Sequence, residues 1–176
     1  ALTQQACLWR FDGAAWSDVS DEIQTSTEGR VLTVAAFGGQ LYAVVNERDP
    51  DQHLRISLWR STAGEHWARV VSDDLDGVRA SGSNVIKAAL GVYRNALFLF
   101  TYDLGSGAVW RSPDGEQWDP VAPDGWISGN ARGVGPSGVA VFRDQLWAGL
   151  VDTQGPGEVM LYLPLRHPLP SVLHTA

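Results

Sequence analysis

The chain has 176 residues, of which 44% are hydrophobic and 19% charged, and its formal net charge is −7. No apolar run approaches the roughly 18 residues that a membrane-spanning helix requires, and a single cysteine excludes an internal disulfide. Only one of the 13 basic residues is a lysine, so no basic stripe is available to bind nucleic acid. We therefore expect one globular domain with no nucleic-acid partner and no membrane span.

Short runs of β-branched, aromatic and aliphatic residues alternate with clusters of Gly, Asp, Asn and Pro along the chain, which predicts strands joined by turns. In chain order the predicted strands cover 7–11, 15–19, 31–37, 41–46, 56–61, 67–72, 84–91, 96–102, 107–112, 118–122, 138–143, 146–151 and 158–163. No window of a dozen residues carries an apolar stripe of helical period with a capping signal. The predicted fold class is all-β.

Six of the eight tryptophans fall into two columns with a period of about fifty residues. Trp9, Trp59 and Trp110 are 50 and 51 residues apart, and Trp16, Trp67 and Trp118 are 51 and 51 apart. A second block repeats with two aromatic columns, which are Phe37, Tyr93 and Phe142, then Tyr42, Phe98 and Trp147. Each unit has four short predicted strands with aromatic residues at fixed positions of the repeat. This pattern predicts antiparallel blades of a β-propeller, with the tryptophans between neighbouring sheets.

The segment Ser112–Trp118 reads SPDGEQW and resembles the Asp-box, or BNR repeat, of sialidase-like and sortilin-like propellers. Ser61–Trp67 is similar but has Ala63 where the aspartate belongs, and Phe11–Trp16 is one residue shorter and lacks the serine. In such a turn Asp114 is expected to accept backbone N–H groups while Gly115 takes a positive φ. The resemblance implies a fold device, not a catalytic site, and it favours an extracellular or periplasmic location.

The strand order that the resemblance implies makes residues 1–163 a sector of about three blades, with units near 7–46, 56–102 and 107–151 and a last strand at 158–163. In this order the first and second strands of a blade are its inner pair and the third and fourth its outer pair. The first two strands of the chain would be an outer pair without its inner pair. The strands at 138–143 and 146–151 would be an inner pair followed only by the strand at 158–163. The apolar sheet faces at both ends would expose more apolar surface area than a soluble monomer normally does. We expect the ring to be completed by a second copy, by a partner subunit or by the rest of a longer chain.

An acidic residue follows each second strand of the repeat, at Glu47, Asp103 and Asp152. We predict that they lie at one rim of the sector, either as strand-ending turn acids or as contacts to a sugar or cation. The loop 46–53 is the longest and most charged of this set, and Arg48 and Asp49 belong to it. Rim loops around 46–53, 103–107, 128–133 and 152–157 are therefore the predicted binding loops.

Arginines precede the first strands of the units at Arg30, Arg79 and Arg132. They could clamp a carboxylate, as the resemblance to sialidases suggests, but their unequal distances from the aromatic column favour solvated loop cations. The segment 103–107 could hold calcium, although it has few carboxylates. The expected cofactor is otherwise none.

Catalytic patterns are weak. Tyr42 and Tyr93 lie in core columns, so Tyr102 is the tyrosine expected to expose its hydroxyl. Four histidines show no metal spacing. We predict a non-catalytic module that recognises a glycan or protein partner through its rim loops. A sialidase-like glycan-processing enzyme remains an alternative, with Tyr102, Asp103 and the arginines as its candidate residues, and so does a purely structural subunit.

Two smaller predictions concern the chain termini. Cys7, beside Leu8 and Trp9, is expected to be a small buried side chain. The segment 164–176 begins with three prolines in seven residues and is expected to run extended, as a strap on a neighbour or as a disordered end.

Overall fold

Thirteen β-strands make up the part of the chain that the computed structural model describes, and no α-helix occurs among these residues. The described residues are 7–20, 23, 29–48, 54–70, 87–102, 107–122, 134–152 and 161–164. The strands are β1 (Trp9–Phe11), β2 (Trp16–Asp18), β3 (Gly29–Phe37), β4 (Gln40–Arg48), β5 (Leu54–Ser61), β6 (Ala68–Val70), β7 (Lys87–Tyr93), β8 (Ala96–Tyr102), β9 (Gly107–Ser112), β10 (Asp119–Ala122), β11 (Val134–Phe142), β12 (Gln145–Asp152) and β13 (Leu161–Pro164). Each of the thirteen predicted strands has a counterpart here, which confirms the all-β prediction.

Consecutive strands pair antiparallel into three sheets and one hairpin. The first sheet has the order β3-β4-β5-β6 and the second the order β7-β8-β9-β10. The third sheet contains β11-β12-β13, and β1 pairs with β2 in an N-terminal hairpin. This is the architecture of propeller blades, because each four-stranded sheet is a simple meander.

The first two strands of each sheet are joined by a two-residue turn in which both central residues have positive φ. The central pairs are Gly38 with Gly39, Arg94 with Asn95, and Arg143 with Asp144. Two positive φ angles define the hairpin turn whose twist matches that of the flanking strands. The turns set one register, so corresponding side chains of the three sheets point to corresponding faces.

Side chains between the sheets form three apolar layers. The layer between the first and second sheets is the largest and contains Tyr42, Val44, Ile56, Leu58, Leu90, Leu97, Leu99 and Trp118. The next layer joins Phe98, Phe100 and Val109 of the second sheet to Leu146 and Ala148 of the third. The last joins Leu8 of the N-terminal segment to Val45, Trp59 and Trp67 of the first sheet. The sheets are therefore stacked face to face in chain order.

The tryptophan columns lie on the face of each sheet that looks toward the preceding sheet. Trp67 is buried against the N-terminal segment, and Trp118 is 2% exposed in the layer between the first and second sheets. Trp9 and Trp16 occupy the same columns on the N-terminal hairpin but are 55% and 65% exposed. The predicted position of the tryptophans between neighbouring sheets is confirmed wherever a preceding sheet or hairpin exists in the described part of the chain.

Two details differ from the sequence predictions. Cys7 is exposed, because it precedes β1 at the end of the stack, where no sheet covers it. β11 begins at Val134, and the predicted strand begins at 138, because the register shift between Pro136 and Gly138 lets these turn-type residues stay within the strand. The proposed strap overlaps β13 at Pro164, and residues 165–176 lie outside the described residues.

Candidate binding rim of the first sheet

One edge of the first sheet, where β3 begins, β4 ends and β5 begins, concentrates charged side chains. We call Arg30, Glu47, Arg48, Arg55 and Arg69 the first-sheet rim. The register places Gly29 opposite Glu47 and Glu47 opposite Arg55, so three strands meet at this edge. Arg69 approaches from the outer strand β6. Only Arg55 and Arg69 lie next to the Glu47 carboxylate. Together the five residues carry four positive charges and one negative charge, although the chain is negative overall.

Glu47 is the buried centre of the rim. Its side chain is 2% exposed, and Oε1 lies 3.5 Å from Arg55 Nε and 3.2 Å from Arg69 Nη2. A buried carboxylate requires compensating charge, which the two arginines supply while remaining partly exposed. Since Arg55 Nε faces Glu47 without a hydrogen bond, charge and not directional bonding holds this pair. The arrangement fixes the arginine side chains at the edge of the sheet.

The other predicted residues of this rim lie at its surface. Arg30 is exposed on β3, opposite Asn46, and Arg48 is half-buried at the last position of β4. Both arginines already have polar or electrostatic interactions. They add two guanidinium groups to the edge that holds the partly exposed Arg55 and Arg69.

The side chains of the remaining predicted binding residues lie outside the described part of the chain. Asp49, Arg79, Asp103 and Arg132 lie outside the described residues, and so does the proposed calcium segment except Gly107. Asp152 is described through its backbone only, as the last residue of β12. Its place on the strand matches that of Glu47 when the aromatic columns are aligned, since Tyr42 and Trp147 each precede the acid by five residues.

Tyr102 does not expose its hydroxyl as predicted. It is the last residue of β8 and is buried, because Gly135 of the third sheet lies against its ring. Tyr102 also takes part in an interaction within the protein. The rim position indicated exposure, but packing against the neighbouring sheet decides burial.

Sequence reasoning missed Arg55 and Arg69. Arg55 could have been found by pairing the two predicted strands across their loop, because it falls directly opposite Glu47. Arg69 gave no such signal, since it pairs with Trp59 and reaches Glu47 diagonally across the sheet.

The turn after β9 has the geometry expected of an aspartate-centred loop. Asp114 Oδ1 accepts hydrogen bonds from the backbone N–H groups of Glu116 at 2.8 Å and Gln117 at 2.9 Å. Ser112 Oγ accepts one from the N–H of Gly115, whose φ is 81°. The backbone bonds from Gln117 and Glu116 lower the pKa of Asp114 below its usual range. The aspartate therefore stabilises the turn as an ionised acceptor.

The shorter turn of the N-terminal hairpin makes the same bonds. Asp12 Oδ1 accepts from the N–H groups of Ala14 and Ala15, both at 2.9 Å. Ala14 thus occupies the place of Glu116 in the longer turn. In the turn that has Ala63, Ser61 Oγ still accepts from the N–H of Gly64 at 2.8 Å. The backbone conformation persists although the sequence pattern is degraded.

A series of arginines on the third strands links each blade to the next, and we call it the outer arginine series. Arg10 donates to Glu65 of the first sheet at 2.9 Å, and Arg60 donates to Glu116 of the second sheet. Arg111 follows at the same register position, opposite Asp119 on β10. It makes no salt bridge with a carboxylate of the described residues, and its Nε is buried without a hydrogen bond. The link between blades is therefore described for two of the three arginines of the series.

The inner turns carry one further link between sheets. Arg94 donates to both carboxylate oxygens of Asp144, at 3.3 and 2.6 Å, and Tyr93 Oη donates to the Asp144 carbonyl at 2.8 Å. Asp144 accordingly has a lowered pKa because of Arg94. These contacts align the second and third sheets at the edge opposite the first-sheet rim.

No protein-family model matches the chain, and no curated protein matches it in sequence. Among solved structures it is similar to a thermostable family-43 glycoside hydrolase, with a TM-score of 0.59 and 15% identity over 96% of this chain and 64% of that chain. It is also similar to a Hadza microbial sialidase, with a TM-score of 0.54 and 17% identity over 87% of this chain and 34% of that chain. A sucrose-6-phosphate hydrolase from Lactobacillus gasseri gives a TM-score of 0.50 and 11% identity over 77% of this chain and 32% of that chain.

These similarities assign the chain to the β-propeller fold. The chain spans less than two thirds of the length of the solved structures that it matches. Within the described ranges no helix is long and apolar enough to cross a membrane. The same ranges contain no group of three His, Cys, Asp or Glu side chains placed to hold a metal ion.

Proposed function

We propose that this chain is a non-catalytic β-propeller module of the Asp-box type that binds a glycan or protein partner through its rim loops and assembles with further blades. The observation that carries the binding role is the buried ion-paired centre at Glu47. A carboxylate held between two arginines positions the guanidinium groups for recognition. A carboxylated or sulfated sugar, or an acidic protein segment, suits such an edge.

The Asp-box assignment is supported by hydrogen bonds that two other turns share with the turn at Asp114. The turns at Asp12 and Asp114 share the same acceptor bonds, and the turn at Ser61 keeps the serine bond. In this proposal the motif serves the fold, and the loops at the opposite edge serve recognition. A calcium ion at 103–107 and an extracellular or periplasmic location remain secondary parts of the proposal.

A glycan-processing enzyme is the second candidate, favoured by the similarity to solved glycoside hydrolases and a sialidase. It would draw on Asp103 and on the arginines at positions 30, 79 and 132. A purely structural subunit is the third candidate, favoured by the exposed aromatic side chains at both ends of the stack.

Glycan-array binding combined with hydrolysis assays on fluorogenic glycosides separates the three. We expect binding to anionic glycans that decreases when Arg48 is changed to alanine, without hydrolysis. Arg111→Ala, which changes an arginine away from the rim, is the matched control and should leave binding intact. Turnover that Asp103→Asn abolishes while the fold persists would establish the enzyme instead. If the chain shows neither binding nor turnover, the structural subunit is the candidate that remains.

A further inference from the structure

The N-terminal hairpin and the third sheet are incomplete in complementary ways. The hairpin β1-β2 carries both tryptophan columns, as do the outer pairs of the first two sheets, but among the described residues it has no inner pair. The third sheet has its inner pair β11-β12 and then only β13. Each therefore has what the other lacks.

The exposed aromatic side chains at the two ends are the two halves of an interface that occurs inside the chain. Trp9 and Trp16 look toward a preceding sheet, as Trp67 and Trp118 do where they are buried. Phe142 is 59% exposed on the face that looks toward a following sheet, whereas the equivalent Phe37 and Tyr93 are partly covered there. Exposed aromatic area of this kind marks an interaction surface.

β13 is a weak occupant of the third-strand position. It has four residues, whereas β5 has eight and β9 has six. Its register puts Leu163 opposite Ala148 and Pro164 opposite Trp147, in the places of the column tryptophan and of the outer arginine series. Pro164 has no N–H to give to a strand beyond it. A strand with a tryptophan and an arginine at these places would pair and pack better.

We propose that β1-β2 of a second copy displaces β13 and pairs with β12, so that two copies complete each other's third blade and close a six-bladed ring. The second copy is the partner because its hairpin supplies Trp9, Arg10 and the Asp12 turn at the places where the other blades carry their equivalents. Docking also brings Phe142 against the exposed Val34 on β3 of the other copy's first sheet. The inference rests on the proposed function only in that the ring is completed by further strands.

The register of the existing sheets defines the new pairing. Ala43 faces Trp59 and Leu99 faces Trp110, so Ala148 would face Trp9 of the second copy. Two residues along, Val45 faces Ser57 and Thr101 faces Ala108, so Leu150 would face Cys7. Opposed residues of an antiparallel pair have Cα atoms about 4.5–5.5 Å apart, within the range that a disulfide spans.

The substitution Leu150→Cys in the full chain tests this register. After mild oxidation we expect a two-chain species in which Cys7 of one copy is linked to the thiol introduced at position 150 of the other, identified by mass mapping of the linked peptides. Ala148→Cys is the matched control, since it lies on the same face of β12 but would face Trp9. We expect at least about tenfold more of the linked species for Leu150→Cys, because a diagonal pair is too far apart for a disulfide.

A disulfide within one chain, or no more linkage than Ala148→Cys gives, would overturn the proposal and leave another blade or partner as the occupant. Should Leu150→Cys not fold, sedimentation of Trp16→Ala against Trp16→Phe decides, because Trp16 is exposed within one chain. We expect about tenfold weaker self-association for Trp16→Ala. Equal association, or a monomeric wild type, would overturn the proposal. Loss of glycan binding with the cross-link intact would overturn the proposed function alone.

Discussion

Gly115 in the turn after β9 lies against the ring of Tyr42 on the neighbouring sheet. A Cβ atom built on Gly115 would come within 2.7 Å of Tyr42 Cε1 and closer still to Oη. The turn is therefore a contact between blades as well as a connection within one. Its glycine is required both for a φ of 81° and for the close approach.

Gly115→Ala is expected to destabilise the chain by roughly 2–4 kcal/mol, because it combines left-handed backbone strain with overpacking against Tyr42. Gly64→Ala is the matched control. It has a similar φ of 76°, but its Cβ would meet only the end of Leu41 at 3.3 Å, so about 1 kcal/mol is expected. Urea denaturation of both variants measures the difference. Equal losses would show that Tyr42 does not constrain the turn.

Asp114 should make the stability of the chain depend on acid pH. Its pKa is lowered in the folded state by the backbone bonds of Gln117 and Glu116. Its contribution is therefore complete above the unfolded pKa of about 3.9 and is lost as the pH falls through the lower folded value. The free energy of unfolding of wild type and Asp114→Asn should differ at pH 7 and converge in strong acid. A difference that stays constant with pH would contradict this role.

Glu47→Gln tests the centre of the first-sheet rim. The substitution leaves Arg55 and Arg69 without their buried counter-charge, so we expect a loss of about 2 kcal/mol. Glu65→Gln removes an exposed partner of Arg10 and should cost less than about 1 kcal/mol. Thermal unfolding at low and high salt measures both. If the two variants lose the same stability, Glu47 does not organise the rim.

Ala14→Glu should extend the outer arginine series across the proposed junction between copies. Ala14 has the backbone position of Glu116, and Arg111 makes no salt bridge with a carboxylate of the described residues. An added surface ion pair is worth roughly 0.5 kcal/mol at each of the two junctions of the ring, so association should tighten about fivefold. Ala14→Gln controls for size, and the gain should vanish with Arg111→Ala. Sedimentation equilibrium at two salt concentrations provides the measurement, and an equal gain with Gln would argue against the pairing.

The strands and their stacking were predictable because the relevant signals are local or periodic. The aromatic columns follow one repeat, so Tyr42 and Phe98 could be placed between sheets before any coordinates. At the N-terminal end of the stack the sequence pattern predicts burial, but Cys7 and Trp16 are exposed because no sheet covers them.

The contacts between blades were beyond sequence reasoning. Arg10 and Glu65 are 55 residues apart, and Arg60 and Glu116 are 56 apart. These residues meet because of the distance between stacked sheets and the position of the turns along the sheet edge, neither of which the sequence specifies locally. Glu47 was found as the acidic residue that follows a second strand of the repeat. Its burial depends on Arg69, which lies on another strand and pairs with Trp59, not with Glu47.

Solvent accessibility of the indole N–H groups, measured by NMR with a paramagnetic cosolvent, tests the stacked-blade account most directly. The account predicts that Trp67 and Trp118 are shielded at every protein concentration, whereas Trp16 is shielded only when copies associate. Signals of Trp67 and Trp118 broadened as strongly as those of the unfolded chain would contradict it.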